Sequence, residues 1–383
     1  MLRQKIKIDN NSVVFLFING PHHTHHLILP ALNFAQNYTQ YQTVLISGSD
    51  NNTNIIKQTL HKMGNPKCKI IKLPKPLRYY IKNYRNKIIP PPFSQWKFID
   101  KSIHYSKAII STSHQTPEFL IKDRNHDQKL FYLYHGVGTR SYGFEDSLNE
   151  YDFIFVPGEY HYNRLQADLS INKNKLSIVG HPKFEWQDVM NNNIKSFFNN
   201  NNPTFYYNPH WDLSLSSYKK WSKRIIRYFL NNKQFNLIFA PHPLIKNYSS
   251  RNKINIDIET EKSNNIILDF YSNNTIDGSY LHAADVYIGD VSSMVTDFII
   301  KKNRSCIFIN SYDIDWRNDK SFNFWNCGKV INKLEEFDSA ITSSLKQNKY
   351  VKSQQAYIKK MIHKVSISSS KLIADSIYKN LQK

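Results

Sequence analysis

The chain has 383 residues, of which 40% are hydrophobic and 14% aromatic, and this is enough apolar material for two folded domains. Lys and Arg number 51 against 30 Asp and Glu, and the formal net charge of +21 suits an anionic partner or simply keeps a lysine-rich chain soluble. No apolar run approaches the roughly 20 residues of a membrane span, and the stretch at 13–18 is too short for a signal peptide. The sequence has no metal-binding or disulfide pattern of cysteines and no nucleic-acid-binding motif. We therefore expect a cytoplasmic protein without specific nucleic-acid recognition.

The first half of the chain alternates apolar strands with helical segments. Strands at 12–19, 43–47 and 68–73, with a helix at 54–63, give a βαβαβ order that is typical of a doubly wound parallel sheet. Further strands are predicted at 108–111, 129–134, 152–156 and 176–179. The last three end in Gly- or Pro-bearing polar turns, which indicates a sheet edge that lines a cleft.

A polar loop rich in histidine follows the first strand, and a helix is predicted to begin near Leu27. The loop carries His22, His23, His25 and His26. Metal binding is one interpretation, but no carboxylate or cysteine partner lies at a useful spacing. We therefore favour a polar loop on the acceptor side, ahead of an inert loop, and predict no metal site.

Residues 75–96 are basic, aromatic and proline-bearing. Two interpretations of them are equally supported. The rings and cations either meet an anionic acceptor or a membrane headgroup layer, or they form an irregular connection packed on the core.

An asparagine-rich stretch divides the chain. The sequence predicts an N-terminal Rossmann-like domain at 1–190, a linker at 191–202, and a C-terminal Rossmann-like domain with a helical tail at 203–383. The second domain has predicted strands at 204–207, 236–240, 265–269, 286–288 and 305–310, an amphipathic helix at 218–231, and helices from about residue 334.

The most informative stretch is YIGDVSSMVTDFII at 287–300, which predicts a strand, a tight polar turn and a helix. Asp290 lies in the turn, Ser292 and Ser293 are typical helix-capping residues, and Asp297 follows one helical turn later. Free N–H groups at such a helix start, beside hydroxyl groups, suit a phosphate. An ordinary capped helix is the alternative.

Single histidines follow the ends of other strands: His135, His181, His210 and His242. Histidine titrates near neutral pH, so it can act as a general base or stabilise a leaving phosphate. Each alone is a weak signal, but several at strand ends of a two-domain α/β chain indicate an active site.

Motifs in chain order carry a family resemblance. They are YHGVGTR at 134–140, YDFIFVPG at 151–158, VGHPKFEW at 179–186, YYNPHWD at 206–212, FAPHP at 239–243 and ADVYIGDVSSMVTDF at 284–298. This series resembles the CDP-glycerol:poly(glycerophosphate) glycerophosphotransferase family, which builds teichoic acids and related capsule polymers. The resemblance implies a GT-B fold, in which two Rossmann-like domains face each other across a cleft.

The resemblance also implies site residues. It makes His135 and His242 catalytic. Apart from the resemblance, His22, His23 and His25 of the histidine-rich loop and Arg140 are candidates for the acceptor side. Donor-binding roles are expected for His181, Lys183, His210, Asp290, Ser292, Ser293 and Asp297.

The activity expected from the resemblance is transfer of a glycerol-phosphate or related unit from a CDP-activated donor to a hydroxyl of a cell-surface polymer. The expected partners are the nucleotide-activated donor, an anionic or lipid-linked acceptor, and the inner membrane surface, reached through basic patches; no cofactor is expected. A GT-B glycosyltransferase that uses a nucleotide sugar and a non-catalytic nucleotide- or polyanion-binding protein are the alternatives.

Overall fold

The computed structural model describes residues 7–74, 95–120, 124–139, 143–190, 196–242, 245, 258–270, 272–364 and 367–382. The basic segment at 78–87, Pro243, Arg140 and residues 191–195 of the predicted linker lie outside these ranges. The chain divides into two compact units. The first comprises Met1–His135, Ser141–Asn191 and Lys360–Lys383, and the second comprises Gly136–Arg140 and Asn192–Lys359.

A seven-stranded sheet, parallel throughout, forms the centre of the first unit, with the order β3-β2-β1-β4-β5-β6-β7. The strands are β1 (Ser12–Phe17), β2 (Gln42–Ser47), β3 (Lys69–Lys72), β4 (Ala108–Ser111), β5 (Lys129–Leu133), β6 (Phe153–Val156) and β7 (Leu176–Ile178). Every residue of β1 is buried, because helices or loops cover both faces of a doubly wound sheet. The strand order reverses between β1 and β4. From this point the chain adds β2 and β3 in one direction and β4 to β7 in the opposite direction.

Helices of the first unit pack on this sheet. They are α1 (Pro21–Asn37), α2 (Asp50–Lys62), α3 (Thr116–Leu120), α4 (Glu159–Leu169) and α5 (Pro182–Val189), joined by the C-terminal α12 (Ser369–Leu381). The side chain of Glu185 in α5 accepts hydrogen bonds from Ser369 N, Ser370 N and Ser368 Oγ at the start of α12. These bonds fix the C-terminal helix to the first unit.

The second unit has a six-stranded parallel sheet with the order β10-β9-β8-β11-β12-β13. Its strands are β8 (Thr204–Asn208), β9 (Asn236–Phe239), β10 (Ile266–Leu268), β11 (Val286–Gly289), β12 (Ser305–Ile309) and β13 (Lys329–Ile331). Its helices are α6 (Tyr218–Asn231), α7 (Ile258–Glu261), α8 (Ser279–Ala283), α9 (Met294–Ile300), α10 (Phe337–Lys346) and α11 (Val351–Met361). The order reverses between β8 and β11, so ligand binding is expected at their carboxyl ends.

The α/β class and the doubly wound pattern are confirmed in both units, whereas the domain bounds differ from the prediction. The second unit begins at Asn192, within the predicted linker. The segment Gly136–Arg140 belongs to the second unit, and Lys360–Lys383 returns to the first. Helix α1 also begins at Pro21, six residues before the predicted start at Leu27. Proline at the first helical position, with its fixed φ, starts this helix earlier than the apolar pattern indicates.

Candidate active site

The residues singled out in the second unit follow strands that are neighbours in its sheet. His242 follows β9, His210 follows β8, and Asp290 follows β11 directly. Because these strands are parallel, their carboxyl ends share one edge, at the place where the strand order reverses. The structure therefore brings His210, His242 and the turn at Asp290 to one edge of the second sheet.

Asp290 holds together the loops at this sheet edge. Its carboxylate is fully buried, and Oδ2 accepts hydrogen bonds from His210 N at 2.9 Å and Ser217 N at 3.0 Å. Burial raises the pKa of Asp290 to about 6, while the hydrogen bonds from Ser217 and from the His210 N–H oppose that rise. The carboxylate thus ties the loop after β8 to the turn after β11.

The turn after Asp290 differs from the predicted cap. Ser293 is the residue before α9 but its side chain makes no capping hydrogen bond, whereas Ser292 Oγ accepts from Met294 N at 3.2 Å. Ser292 is buried and Ser293 is exposed. The Ser293 hydroxyl is therefore the better placed of the two to contact a ligand, and Asp297 lies partly exposed in the first turn of α9.

His210 and His242 form a pair in the second unit, with ring centroids 6.2 Å apart. The backbone N–H of Asp212 donates to Nδ1 of His210 at 3.1 Å, which leaves the proton of a neutral ring on Nε2. The backbone N–H of His242 donates to the Pro209 carbonyl at 3.0 Å, so the loops that follow β8 and β9 are joined. His210 is buried and His242 is partly exposed.

The segment that directly follows His135 in the chain packs on α9 within the second unit. Thr296 Oγ1 donates to the Val137 carbonyl at 3.0 Å, and Thr139 Oγ1 donates to the Ser321 carbonyl at 2.9 Å. A Cβ atom added to Gly138 would lie 3.4 Å from Cβ of Ser293. That distance is an ordinary van der Waals contact, so the segment after His135 lies directly beside the exposed serine.

In the first unit, the early start of α1 brings histidines from several elements together. We call His22, His23, His26, His135 and His181 the histidine cluster. His23 stacks on His135 with centroids 3.8 Å apart, and His22 lies 4.5 Å from His23. His26 meets His181 edge-on at 4.6 Å. His26 belongs to the predicted loop but is not among the predicted acceptor-side residues.

The imidazoles of His23, His26, His135 and His181 are neutral at pH 7, because the pKa of each is lowered. Burial is the main cause, and it lowers the pKa of His135 to about 3, with like-charge repulsion from His22 and His114 adding to the effect. The pKa values of His23, His26 and His181 are also well below their ordinary value, because of burial and then of neighbouring histidines or Lys183. A neutral imidazole can accept a proton, which a general base requires.

Some predicted site residues lie in other places than the sequence predicts. His181 and Lys183, assigned to the donor, lie in the first unit, where His181 contacts His26. His25 is buried and stacks on Trp186 of α5 with centroids 3.8 Å apart, so the structure places it in helix packing. Arg140 lies outside the described ranges.

Sequence reasoning missed the residues that support the turn. Trp325 donates from Nε1 to the Asp290 carbonyl at 3.0 Å, and Ser217 Oγ lies 2.6 Å from the Tyr207 hydroxyl. Both are far along the chain from Asp290, and no local pattern marks them.

Within the described ranges, no three His, Cys, Asp or Glu side chains are arranged to hold a metal ion. In the same ranges, no helix is both long and apolar enough to cross a membrane.

No protein-family model matches the sequence, and no curated protein matches it. Solved structures do match. A structure of the wall teichoic acid polymerase TagF, from a crystal soaked with CDPG, is 15% identical in sequence to this chain. The match covers 98% of this chain and 90% of the TagF chain, with a TM-score of 0.63. A second such TagF structure is 14% identical over the same shares, with a TM-score of 0.64.

The co-structure of S. aureus MnaA with UDP is 9% identical, covers 97% of both chains and has a TM-score of 0.57. Identities this low show likeness of fold. The resemblance that the motifs indicate is thus found again in the structure, and the predicted GT-B fold class is confirmed.

Proposed function

We propose that the chain is a GT-B transferase that moves a glycerol-phosphate or related unit from a CDP-activated donor to a hydroxyl of a teichoic acid-like or capsule polymer. The observation that carries the proposal is the joint position of His210, His242 and the Asp290–Ser293 turn at the strand reversal of the second sheet. The likeness of the chain's fold to that of the wall teichoic acid polymerase TagF supports this choice of reaction.

The donor would bind at this edge of the second unit. The exposed Ser293 hydroxyl, together with backbone N–H groups of the turn, would contact the diphosphate beside the start of α9. Asp290 is buried, so it would act on the donor only through the loop that it holds. No metal or other cofactor is needed in this scheme.

In the reaction, the acceptor oxygen attacks the phosphorus that carries glycerol, the bond from that phosphorus to the bridging oxygen breaks, and CMP leaves. His135, neutral in the free protein, would take the hydroxyl proton as the new bond forms. His242 would stabilise the negative charge that develops on the phosphate oxygens.

A donor panel tests this proposal. A ligand that binds only the folded chain raises its melting temperature, so CDP-glycerol should do so at concentrations where UDP-N-acetylglucosamine does not. The likeness to the MnaA–UDP co-structure favours a nucleotide sugar as the second candidate donor. Protection by UDP-sugars alone would support that candidate, and protection by nucleotides with no turnover on any hydroxyl acceptor would support a binding protein.

We also propose peripheral association with the cytoplasmic membrane surface, on the ground of the +21 net charge. Binding to anionic vesicles should then fall steeply with salt. Replacing the basic residues at 78–87 should remove most of this salt dependence in a sedimentation assay. Equal binding to neutral and anionic vesicles would contradict the proposal.

A further inference from the structure

The histidine cluster contains buried nitrogen atoms that lack hydrogen bonds. Within the described part of the chain, Nδ1 of His26, His135 and His181 is buried and has no hydrogen-bond partner. His26 is 3% exposed and His181 4%, so water does not reach these rings freely. Buried polar atoms are nearly always paired in native proteins, and several unpaired ones in one cluster therefore indicate a ligand that the cluster is built to take.

The surroundings of the cluster favour a negative charge. Lys183 is 5% exposed and acts electrostatically on both His26 and His181. Other charged groups of the described residues that act on these rings include histidines of the cluster and His114, which follows β4. An anion would compensate this collection of potential cations.

Two helix N-termini meet the cluster as well. Helix α1 begins beside His22 without a side-chain cap and has no acidic residue in its first turn. Helix α5 begins directly after His181, also without a side-chain cap. Glu185, the acidic residue in the first turn of α5, is bonded to the start of α12. The positive ends of both helix dipoles thus add to the attraction for an anion.

We propose that the histidine cluster binds a phosphodiester of the acceptor polymer, and that the cluster takes up protons when the anion enters. The inference rests on the proposed function for the source of the phosphodiester, a polymer of glycerol phosphate or its like. The unpaired Nδ1 atoms of His26 and His181 supply hydrogen bonds to the phosphate oxygens once these two rings are protonated, while His135 stays neutral as the proposed base. The charge of Lys183 and the two helix ends then stabilise the bound anion rather than oppose protonation.

Proton uptake follows from the change in charge. In the free protein, burial and repulsion between like charges keep the imidazoles of His26 and His181 neutral at pH 7. A phosphodiester placed among the rings supplies a negative charge that offsets this repulsion. Binding should therefore strengthen as the pH falls from 8 to 6. Glycerophosphoglycerol is a suitable probe, because its single charge does not change in this range and any proton taken up belongs to the protein.

The experiment is calorimetric titration of the full chain with glycerophosphoglycerol at pH 7 in two phosphate-free buffers of different ionisation enthalpy. We expect uptake of at least about half a proton for each ligand bound. Lys183→Met and His26→Gln should each weaken binding about tenfold or more. His126→Gln, at an exposed histidine of the first unit, is the matched control and should bind as the wild type does.

A readout on the wild-type protein guards against variants that fail to fold. The ¹⁵N shifts of the imidazoles should report neutral rings in the free protein and at least one cationic ring with glycerophosphoglycerol bound. Binding without proton uptake, binding that EDTA abolishes, or no binding while CDP-glycerol still binds would each overturn the inference. In the last case the proposed function stands; if instead only glycerophosphoglycerol binds, the anion site stands and the proposed donor fails.

Discussion

The two sheet edges that carry the candidate residues are built in opposite ways. In the second unit, Asp290 is held by backbone hydrogen bonds from His210 and Ser217, and its turn is held by Trp325. In the first unit, the histidine cluster is packed ring against ring and keeps unpaired nitrogens. A hydrogen-bonded edge fixes geometry before a ligand arrives, whereas a cluster of neutral imidazoles can change its charge when one does.

The largest expected effect comes from removing one candidate catalytic histidine from each edge. His242→Ala and His135→Ala should each lower kcat by about 10³-fold, about 4 kcal/mol in transition-state free energy, while CDP-glycerol binds within a few-fold of wild type. The double variant should be little worse than either single one, because the two act in one step. Donor-consumption kinetics beside a melting curve for each variant provide the measurement. A stable His242→Ala protein with near-normal kcat would remove this residue from the mechanism.

Next in size is the support given by Asp290. Asp290→Ala leaves the N–H groups of His210 and Ser217 without their acceptor, and it should lower the free energy of unfolding by about 2–4 kcal/mol. Asp290→Asn keeps an oxygen in place and should lose less. Urea unfolding of both variants measures the difference. Equal stabilities would mean that the carboxylate oxygen does not hold the loop.

The two edges should also respond to pH with opposite signs. Between about pH 6.5 and 4, His26 and His181 take up protons in the unfolded chain but stay neutral in the folded chain. Each residue therefore lowers the free energy of unfolding as the pH falls, by up to about 1.4 kcal/mol per pH unit. Asp290, with its pKa raised to about 6, binds its proton earlier in the folded chain, so it favours folding as the pH falls through 6.

Unfolding titrations across pH 4–8 distinguish these contributions. His26→Gln should flatten the loss of stability at acid pH, and Asp290→Asn should steepen it, since each removes one of the opposing groups. If both variants shift the curve in the same direction, the contrast between the two edges is wrong.

The smallest effect is expected at the turn. Ser293→Ala should weaken CDP-glycerol binding by about 1–1.5 kcal/mol, because it removes one hydrogen bond to a charged group. Ser292→Ala should change binding less and stability more, since Ser292 Oγ accepts from Met294 N. Calorimetry with the nucleotide and a melting curve separate the two. The reverse order of effects on binding would make Ser292 the ligand contact.

Sequence reasoning found the strands and the turn of the second unit because those signals are local. The apolar run before Gly289 and the polar turn after it lie within one stretch, and the structure keeps them as strand and turn. Helix α6 was predicted with its observed bounds, Tyr218–Asn231, since its apolar face repeats regularly. Each signal needs only neighbours in the chain.

Contacts between distant segments could not be predicted in this way. Nothing local shows that His181 meets His26, or that α12 returns to the first unit through Glu185. The start of α1 was misplaced because the histidines there lack an apolar helical pattern, although Pro21 after Gly20 is a helix-start signal. That error concealed the histidine cluster, because His22, His23 and His26 share a helix only when α1 begins at Pro21.

The identity of the nucleotide released in one turnover tests the central claim most directly. Attack at the phosphorus that carries glycerol must release CMP, whereas transfer of a sugar from a nucleotide sugar breaks the bond from sugar carbon to oxygen and releases a nucleoside diphosphate. Wild-type protein, CDP-glycerol and a glycerol-phosphate acceptor should therefore yield one CMP for each glycerol phosphate added, and His242→Ala should yield almost none. Release of a nucleoside diphosphate from a UDP-sugar, with no CMP formed from CDP-glycerol, would contradict the account.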